Sequence, residues 1–152
     1  MHTCALDTTG KAWCWGNDGD GQVGDGDVDP RGHKYDPAPV AGDRTYITIT
    51  AGYVHTCAVD TTGKAWCWGW DETGQVGDGD GHLDRYGPVP VTGDRTYTTI
   101  TAGNMHTCAA DTTGKAWCWG HDFSGQVGDG DIDQSNKYAP VAVTGGHTFT
   151  QP

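Results

Sequence analysis

The sequence lacks several features that would place it in a common class of protein. It has no amphipathic helical pattern, and no run approaches the roughly eighteen continuous apolar residues that a membrane-spanning helix needs. Hydrophobic residues make up only 35% of the 152 residues, and two are Phe, so the aliphatic core is thin. There is no Asn-x-Ser/Thr sequon, no Cys-x-x-Cys redox motif and no visible signal peptide. Export would therefore require a leader or a longer precursor.

Positive charge is also scarce. Nine Lys and Arg residues stand against 20 Asp and Glu residues, which gives a formal net charge of -11. Nucleic-acid backbones and anionic membranes would repel such a chain, so the sequence predicts neither nucleic-acid binding nor membrane insertion. No acid–base pair or activated nucleophile stands out, and the sequence therefore predicts no enzyme.

What the sequence does contain is one unit in three copies. Each copy starts with HTCA-x-DTTGKAWCWG, continues with GQVGDGD and ends in a Thr-rich segment. Short runs of Thr, Val, Ile, Tyr and Trp between glycines indicate β-strands, and about fifty residues per copy is the period of a β-propeller blade. The sequence predicts an all-β fold of three propeller-type blades at residues 1–54, 55–105 and 106–152, the last with a truncated final strand.

The order of the motifs resembles that of the regulator-of-chromosome-condensation repeat family. The resemblance is carried by AGxxHT at residues 51–56, WG at residues 68–69 and GQVG at residues 74–77, and it covers nearly the whole chain. It implies propeller blades, of which family members typically have seven, whereas this chain supplies three. The nucleotide-exchange activity of the founding member is not implied, because a fold does not fix a function. The cysteines indicate a disulfide-containing, secreted variety of the family.

Three blades are too few to close a ring, since propellers have about four to eight. Uncovered blade faces and open strand edges favour association. The sequence therefore predicts head-to-tail self-association, in which two copies form a six-bladed ring or a rotation that does not close forms a filament. The alternative is that these blades are part of a longer repeat protein.

Each repeat has two cysteines on either side of a predicted hairpin turn. A turn at residues 8–10 ending in glycine places Cys4 opposite Cys14, where cross-strand Cβ atoms lie about 4.5–5.5 Å apart and a disulfide fits. A zinc site using His2 and these cysteines is the alternative, but the usual closely spaced cysteine pairs of such sites are missing. The predicted disulfides are Cys4–Cys14, Cys57–Cys67 and Cys108–Cys118, and they indicate a secreted, extracellular or periplasmic protein.

The histidine that begins each copy is predicted to be structural, because in the related repeats this residue lies at a strand start, where its ring can hydrogen-bond neighbouring backbone. It has no regular acidic or serine partner of the kind that catalysis needs. Trp13 and Trp15 share one face of their strand and are predicted to pack between blades.

Alternating aspartates follow each GQVG motif. Carboxylates in a D-x-D-x-D pattern converge on calcium when the backbone curls around the ion. The full twelve-residue calcium loop ending in Glu is missing, and Asp-Gly also supplies tight turns and surface charge. Calcium is therefore a candidate cofactor, and its predicted ligands are Asp25, Asp27, Asp29, Asp78, Asp80, Asp129, Asp131 and Asp133.

Two segments differ between otherwise similar repeats. The first occupies residues 17–20, 70–73 and 121–124, and the second occupies residues 28–36, 81–87 and 132–138. Loops on a rigid scaffold commonly carry recognition, although neutral drift explains the variation equally well. The candidate binding residues are Trp70, His121 and Phe123. Two functions follow: an extracellular structural protein that self-assembles, or a module that binds a protein or glycan through its loops.

Overall fold

The computed structural model describes residues 1–28, 32–81 and 83–150. These residues form an all-β structure of antiparallel sheets, as the sequence predicts, and contain no helix that could span a membrane. The described strands are β1 (His2–Leu6), β2 (Ala12–Asn17), β3 (His33–Pro39), β4 (Tyr46–Ala51), β5 (His55–Asp60), β6 (Ala65–Gly69), β7 (Arg85–Pro90), β8 (Tyr97–Ala102), β9 (His106–Asp111), β10 (Ala116–Gly120) and β11 (Lys137–Ala142).

Each repeat begins with a β-hairpin whose turn ends in glycine. In the first hairpin Gly10 has a φ of 81°, a left-handed conformation that glycine adopts at little cost. This turn pairs β1 with β2 so that Cys4 lies opposite Cys14, which confirms the predicted register. The hairpins β5–β6 and β9–β10 have the same register. The six cysteines form the disulfides Cys4–Cys14, Cys57–Cys67 and Cys108–Cys118.

Sheets and sequence repeats are out of phase by one strand. The Thr-rich strand β4 ends the first repeat in sequence but pairs with β5 of the second, and β8 likewise pairs with β9. The strand orders are β1-β2-β3, β4-β5-β6-β7 and β8-β9-β10-β11. The divisions at residues 1–54, 55–105 and 106–152 thus describe the sequence period, not the sheets. The reason is that residues 52–54 form a tight hairpin connection, whereas residues 40–45 form a longer link between sheets.

The hydrophobic core lies between consecutive sheets. One cluster of buried side chains contains Val23 and Trp68, and the other contains Val76 and Trp119. All six residues of β5, in the central sheet, are buried, whereas the residues of β1 alternate between half-buried and exposed. The end sheets therefore each present one face that no other described sheet covers.

Candidate interaction surfaces

The repeated histidine lies where consecutive sheets meet. His2 Nε2 lies 2.6 Å from Thr56 Oγ1, and His55 Nε2 lies 2.8 Å from Thr107 Oγ1. The Thr56 hydroxyl donates to the backbone carbonyl of Gln22, in the GQVG motif of the preceding repeat, at 2.8 Å. Because a hydroxyl has a single hydrogen, the histidine must donate from Nε2. The histidine therefore has a structural role, as predicted, but its ring bonds a threonine side chain of the next sheet and not the neighbouring backbone.

A tryptophan completes each contact. Trp68 Nε1 donates to the same Gln22 carbonyl at 3.0 Å, and the next repeat reproduces this bond at 2.9 Å. Both indoles are fully buried, so the equivalents of Trp15 in the second and third repeats are packing residues, as predicted for this position. We call these groups the inter-sheet cluster, which comprises His2, Gln22, Thr56 and Trp68 between the first two sheets, and His55, Gln75, Thr107 and Trp119 between the second and third.

The last residue of the GQVG motif has to be glycine where this contact forms. A Cβ added to Gly24 would lie 2.3 Å from Trp68 Nε1, and one added to Gly77 would lie 2.5 Å from Trp119 Nε1. Real Cβ atoms do not approach so closely, so the indole of the next sheet occupies the space that a side chain at this glycine would need. The motif thus supplies a carbonyl acceptor, a buried valine and a glycine platform for one tryptophan.

Burial keeps the histidines of the cluster neutral. Desolvation, with smaller contributions from His2 and His106, lowers the pKa of His55 from 6.5 to about 3. Desolvation and the N-terminal amine lower the pKa of His2 to about 4. A neutral ring with its hydrogen on Nε2 matches the donor role that the threonine requires.

The two end sheets each carry half of the inter-sheet cluster. Thr3 is exposed and Trp15 is half-buried, whereas the equivalent Thr56 and Trp68 are fully buried. At the other end His106 is half-buried, and the described residues supply no threonine to its Nε2. We call Thr3, Trp13 and Trp15 the leading face, and His106, Gln126 and Gly128 the trailing face.

Two of the three predicted binding residues lie side by side, and a shared surface with the third stays a prediction. His121 and Phe123 lie side by side with ring centroids 6.3 Å apart, and Phe123 is 62% exposed. His121 Nδ1 is bonded to Gln126 Nε2 at 2.8 Å, so its ring is held in place. Trp70 is half-buried in the loop of the preceding repeat, without a ring contact to the other two among the described residues.

Each group of predicted calcium ligands surrounds a cation from the following strand. Lys137 Nζ lies 3.1 Å from Asp129, 2.6 Å from Asp131 and 3.4 Å from Asp133. The hydrogen bond to Asp131 is the main reason that the pKa of Lys137 is raised. The other repeats place Lys34 on Asp25 and Asp27, and Arg85 on Asp78 and Asp80.

Asp29 lies outside the described residues, and calcium binding stays a prediction. The second variable segment nevertheless keeps one feature in every repeat, a cation that lies on the aspartates. The sequence shows this cation directly before a tyrosine in each copy, at a variable distance from the aspartates, and its partners become evident only in three dimensions.

A buried aspartate in the first variable segment was not predicted. Asp71 is fully buried and its Oδ1 accepts from Val76 N at 2.8 Å, which closes the GQVG loop. Burial is the main cause that raises its pKa to about 7. The sequence signal is a constant aspartate two residues after each WG pair, and the equivalents are Asp18 and Asp122. Asp122 also has an oxygen within 4.8 Å of Asp129 and Asp131.

Comparison with known proteins matches these repeats to one family. A model described as Regulator of chromosome condensation (RCC1) repeat matches residues 2–22, 46–75 and 97–126, and a second with the same description matches residues 62–110. The Ultraviolet-B receptor UVR8 of Arabidopsis thaliana is 31% identical over 134 residues, which cover 87% of this chain and 30% of the receptor. The RCC1 domain-containing protein RUG3, mitochondrial, of the same plant is 31% identical over 150 residues, which cover 93% of this chain and 33% of that protein.

Solved structures show the same fold. Prp20p from Saccharomyces cerevisiae superposes with a TM-score of 0.84 at 23% identity, over 95% of this chain and 36% of that protein. The chain thus spans about a third of the length of these relatives. Its three sheets are propeller blades, as predicted, and form an incomplete propeller. The repeated motifs, the family match and the shared fold agree: the chain belongs to the regulator of chromosome condensation (RCC1) repeat family.

Proposed function

We propose that this chain is a non-catalytic scaffold that assembles head to tail, with the leading face of one copy on the trailing face of another. The observation that carries the proposal is that each end sheet presents half of the inter-sheet cluster. Thr3 and Trp15 offer the hydroxyl and the indole, while His106 and Gln126 offer the imidazole and the carbonyl. The chain already joins its own sheets twice with these groups, so a second copy can repeat the same geometry.

The geometry of the assembly follows from symmetry. A head-to-tail contact between two copies places six sheets around one axis, which is within the range of about four to eight blades that closes a propeller. If the rotation between copies does not close, the same contact builds a filament. Electron microscopy separates the two forms, since a ring has one size and a filament has no fixed length.

We further propose that the assembly works in an oxidising compartment, either secreted and extracellular or periplasmic. Three disulfides in a chain of this size support the proposal, because cytosolic thiols are kept reduced. The similar protein RUG3 is named mitochondrial, so the compartment does not follow from the family. Thiol counting on the protein purified from its natural source tests this: six blocked cysteines are expected, and six free thiols contradict it.

Sedimentation velocity over a concentration series tests the assembly, with Gly128→Ala as the diagnostic variant. A Cβ on Gly128 meets only Val143 Cγ1 at 3.5 Å within its own chain, whereas the equivalent glycines lie against the tryptophan of the next sheet. The wild type is expected to associate, and the variant to stay folded and monomeric because its methyl group meets Trp15 of the second copy. A wild type that is monomeric at every concentration contradicts the proposal.

A second candidate function is binding of a protein or glycan by the loops, and Phe123 favours it. The side chain is 62% exposed and lies beside the fixed ring of His121, which makes a suitable anchor. The structure of Prp20p was described together with its binding to Gsp1p and histones. A basic protein also suits the net charge of -11 of this chain.

Core histones are the probe for this second function. Phe123→Ala is expected to weaken binding about tenfold if the ring is a hot spot, at a salt concentration that screens bulk charge. Ser124→Ala is the matched control, since it changes the neighbouring exposed side chain without removing a ring. If the wild type and Phe123→Ala bind histones with equal affinity, and added salt abolishes both interactions, the binding is a general attraction of opposite charges. That result would contradict recognition by the loops.

A further inference from the structure

Five cations lie together at the end of the sheets where the hairpin turns are. In each repeat a lysine directly follows the turn, and the links between sheets at residues 40–45 and 91–96 each carry an arginine. Tyr46 N donates to Gly10 O at 2.9 Å, and the second repeat has the equivalent bond at 2.8 Å, so each link lies beside the turn of the sheet that it leaves. We call the following residues the cation track: Lys11, Arg44, Lys64, Arg95 and Lys115.

The cation track has no acidic partner among the described residues. The cations near the start of β3, β7 and β11, by contrast, each lie on two or three aspartates. The chain has 20 acidic and nine basic residues, so acidic partners are abundant and the lack of one is a property of this place. The track therefore has charge to offer to an anion from outside the chain.

The aspartate closest to each turn is already fully bonded. Asp60 Oδ1 accepts from Thr62 N, Thr62 Oγ1 and the backbone N–H of Lys64. Its Oδ2 accepts from Trp66 Nε1 at 2.7 Å. This carboxylate positions the turn and the indole, and the lysine side chain is left exposed.

Each of two indoles holds a pair of these cations. Arg44 Cζ lies 3.6 Å from the ring centroid of Trp66, and Lys64 Nζ lies 5.5 Å from it. The next sheet repeats the arrangement on Trp117, with its arginine at 3.7 Å and its lysine at 4.6 Å. Two like charges on one ring repel each other, and an anion that contacts both relieves the repulsion. A carboxylate suits this place because it matches the planar fork of a guanidinium that stacking holds in position.

Grooves join these pairs into one row. Lys11 and Arg44 line a groove of about 300 Å³ at the first link, and Lys64 and Arg95 line a groove of about 220 Å³ at the second. Rings and grooves therefore alternate along the row, which crosses from sheet to sheet. A linear polymer with repeated negative charges fits such a row better than a single small anion does.

The groups beside the cations favour one class of polymer. Thr62 and Thr96 line the second groove and are exposed, so their hydroxyl groups suit the hydroxyl groups of a sugar. Asp43 and Asp94 also line the two grooves, and the whole chain has a net charge of -11, so a polymer of high charge density such as a nucleic acid is repelled. One carboxylate per sugar is a low charge density that meets both conditions.

We propose that the cation track binds a linear polysaccharide that carries one carboxylate per sugar. The carboxylates lie between the arginine and the lysine of each ring, and the sugars lie along the grooves against the threonines. The site lies on the turns and links and not on the loop that contains Phe123, and it needs no second copy of this chain. It goes beyond both functions proposed above and rests on neither.

Isothermal titration calorimetry with oligogalacturonates of increasing length tests the proposal. The salt concentration is about 0.15 M, where exposed charges are screened beyond about 8 Å, and a chelator prevents calcium from linking the polymer to the aspartates. Affinity is expected to rise with length until the oligomer spans the track, and the fully methyl-esterified polymer is expected not to bind. Absence of binding, equal binding of the esterified polymer, or equal affinity of a dimer and a long oligomer would each overturn the proposal.

Single substitutions locate the site on the track. Lys64→Gln is expected to weaken binding about two- to fivefold, and Arg95→Gln about tenfold, because the stacked guanidinium makes the stronger contact. Asp94→Asn is expected to tighten binding about twofold, since it removes a repelling charge from the groove. The near-ultraviolet spectrum of each variant confirms folding, and Lys64 has no side-chain hydrogen bond among the described residues that the substitution could break.

Ser124→Asp is the matched control for net charge. It makes the chain more negative by one charge, as Lys64→Gln does, and it introduces the residue that the first repeat has at this place, Asp20. Unchanged affinity is expected, because the loop is not part of the track. If Ser124→Asp weakens binding as much as Lys64→Gln, the polymer senses only the total charge and the track is wrong.

Single-stranded DNA is the competing ligand. At the same salt concentration an oligonucleotide of equal total charge is expected to bind at least about tenfold more weakly than the oligogalacturonate, which corresponds to about 1.4 kcal/mol. Equal or tighter binding of the oligonucleotide would overturn the assignment to a polysaccharide.

Discussion

Gly77→Ala is the substitution that most directly measures how one sheet is joined to the next. The structure supplies a matched control in Gly128→Ala, since the two glycines have φ values of 76° and 73°. Both variants therefore place alanine in the left-handed region, at a cost of about 1–2 kcal/mol each. They differ in what the new methyl group meets, which is the Trp119 indole at 2.5 Å for Gly77 and Val143 at 3.5 Å for Gly128.

The difference in destabilisation between the two variants measures how much the contact between Gly77 and Trp119 contributes to stability. Displacing the Trp119 indole overpacks the site, at about 1–3 kcal/mol. Losing the hydrogen bond from Trp119 Nε1 to the Gln75 carbonyl, now 2.9 Å, adds about 1 kcal/mol. Gly77→Ala is therefore expected to lower the free energy of unfolding by about 2–4 kcal/mol more than Gly128→Ala.

Urea denaturation of both variants, with disulfides intact and at a dilution where the chain is monomeric, measures this difference. In thermal melts it corresponds to a Tm about 4–16 °C lower for Gly77→Ala, at about 2–4 °C per kcal/mol for a chain of this size. Equal destabilisation of the two variants would refute the reasoning, because the loss would then come from backbone strain alone.

Three further predictions concern single groups. Thr107→Val is expected to lower the free energy of unfolding by about 1–3 kcal/mol in urea because it leaves buried partners unbonded, whereas the exposed Thr3→Val leaves it unchanged; equal effects contradict the cluster. Burial lowers the pKa of His55 from 6.5 to about 3, so its contribution is complete above pH 6.5 and is lost as the pH falls towards 3. Over that range the free energy of unfolding of the wild type is expected to fall by up to about 5 kcal/mol more than that of His55→Gln. Parallel plots of the free energy of unfolding against pH for the two proteins would contradict this. Calcium is expected to raise the Tm of Lys137→Met more than that of the wild type, whose ammonium group competes with the ion for the carboxylates, and equal rises contradict this.

The hairpins and their register could be predicted because they depend on contacts close in sequence. The glycine at position 10 sets the turn, and the turn alone places Cys4 opposite Cys14. The phase of the sheets could not be predicted in the same way. A repeating sequence has no marked start, so the strand that precedes each histidine belongs equally well to either neighbour until the connections are seen.

The inter-sheet cluster could be predicted only in part. The sequence shows that histidine, threonine and tryptophan recur, but His2 and Thr56 are 54 residues apart and their contact needs the packed sheets. The third partner, the Gln22 carbonyl, is a backbone group that residue types do not identify. The aspartate pattern predicts a metal ion, but it does not reveal that the fold places a lysine or an arginine among the carboxylates.

Hydrogen exchange of the tryptophan indoles tests the central claim, that each end sheet carries half of a contact which a second copy completes. The Nε1–H groups of Trp68 and Trp119 are bonded and buried, so they are expected to be protected at every concentration. The Nε1–H of Trp15 is expected to exchange rapidly in dilute solution, to become protected as the concentration rises, and to stay unprotected in Gly128→Ala. Rapid exchange of Trp15 in the wild type at all concentrations would contradict the account.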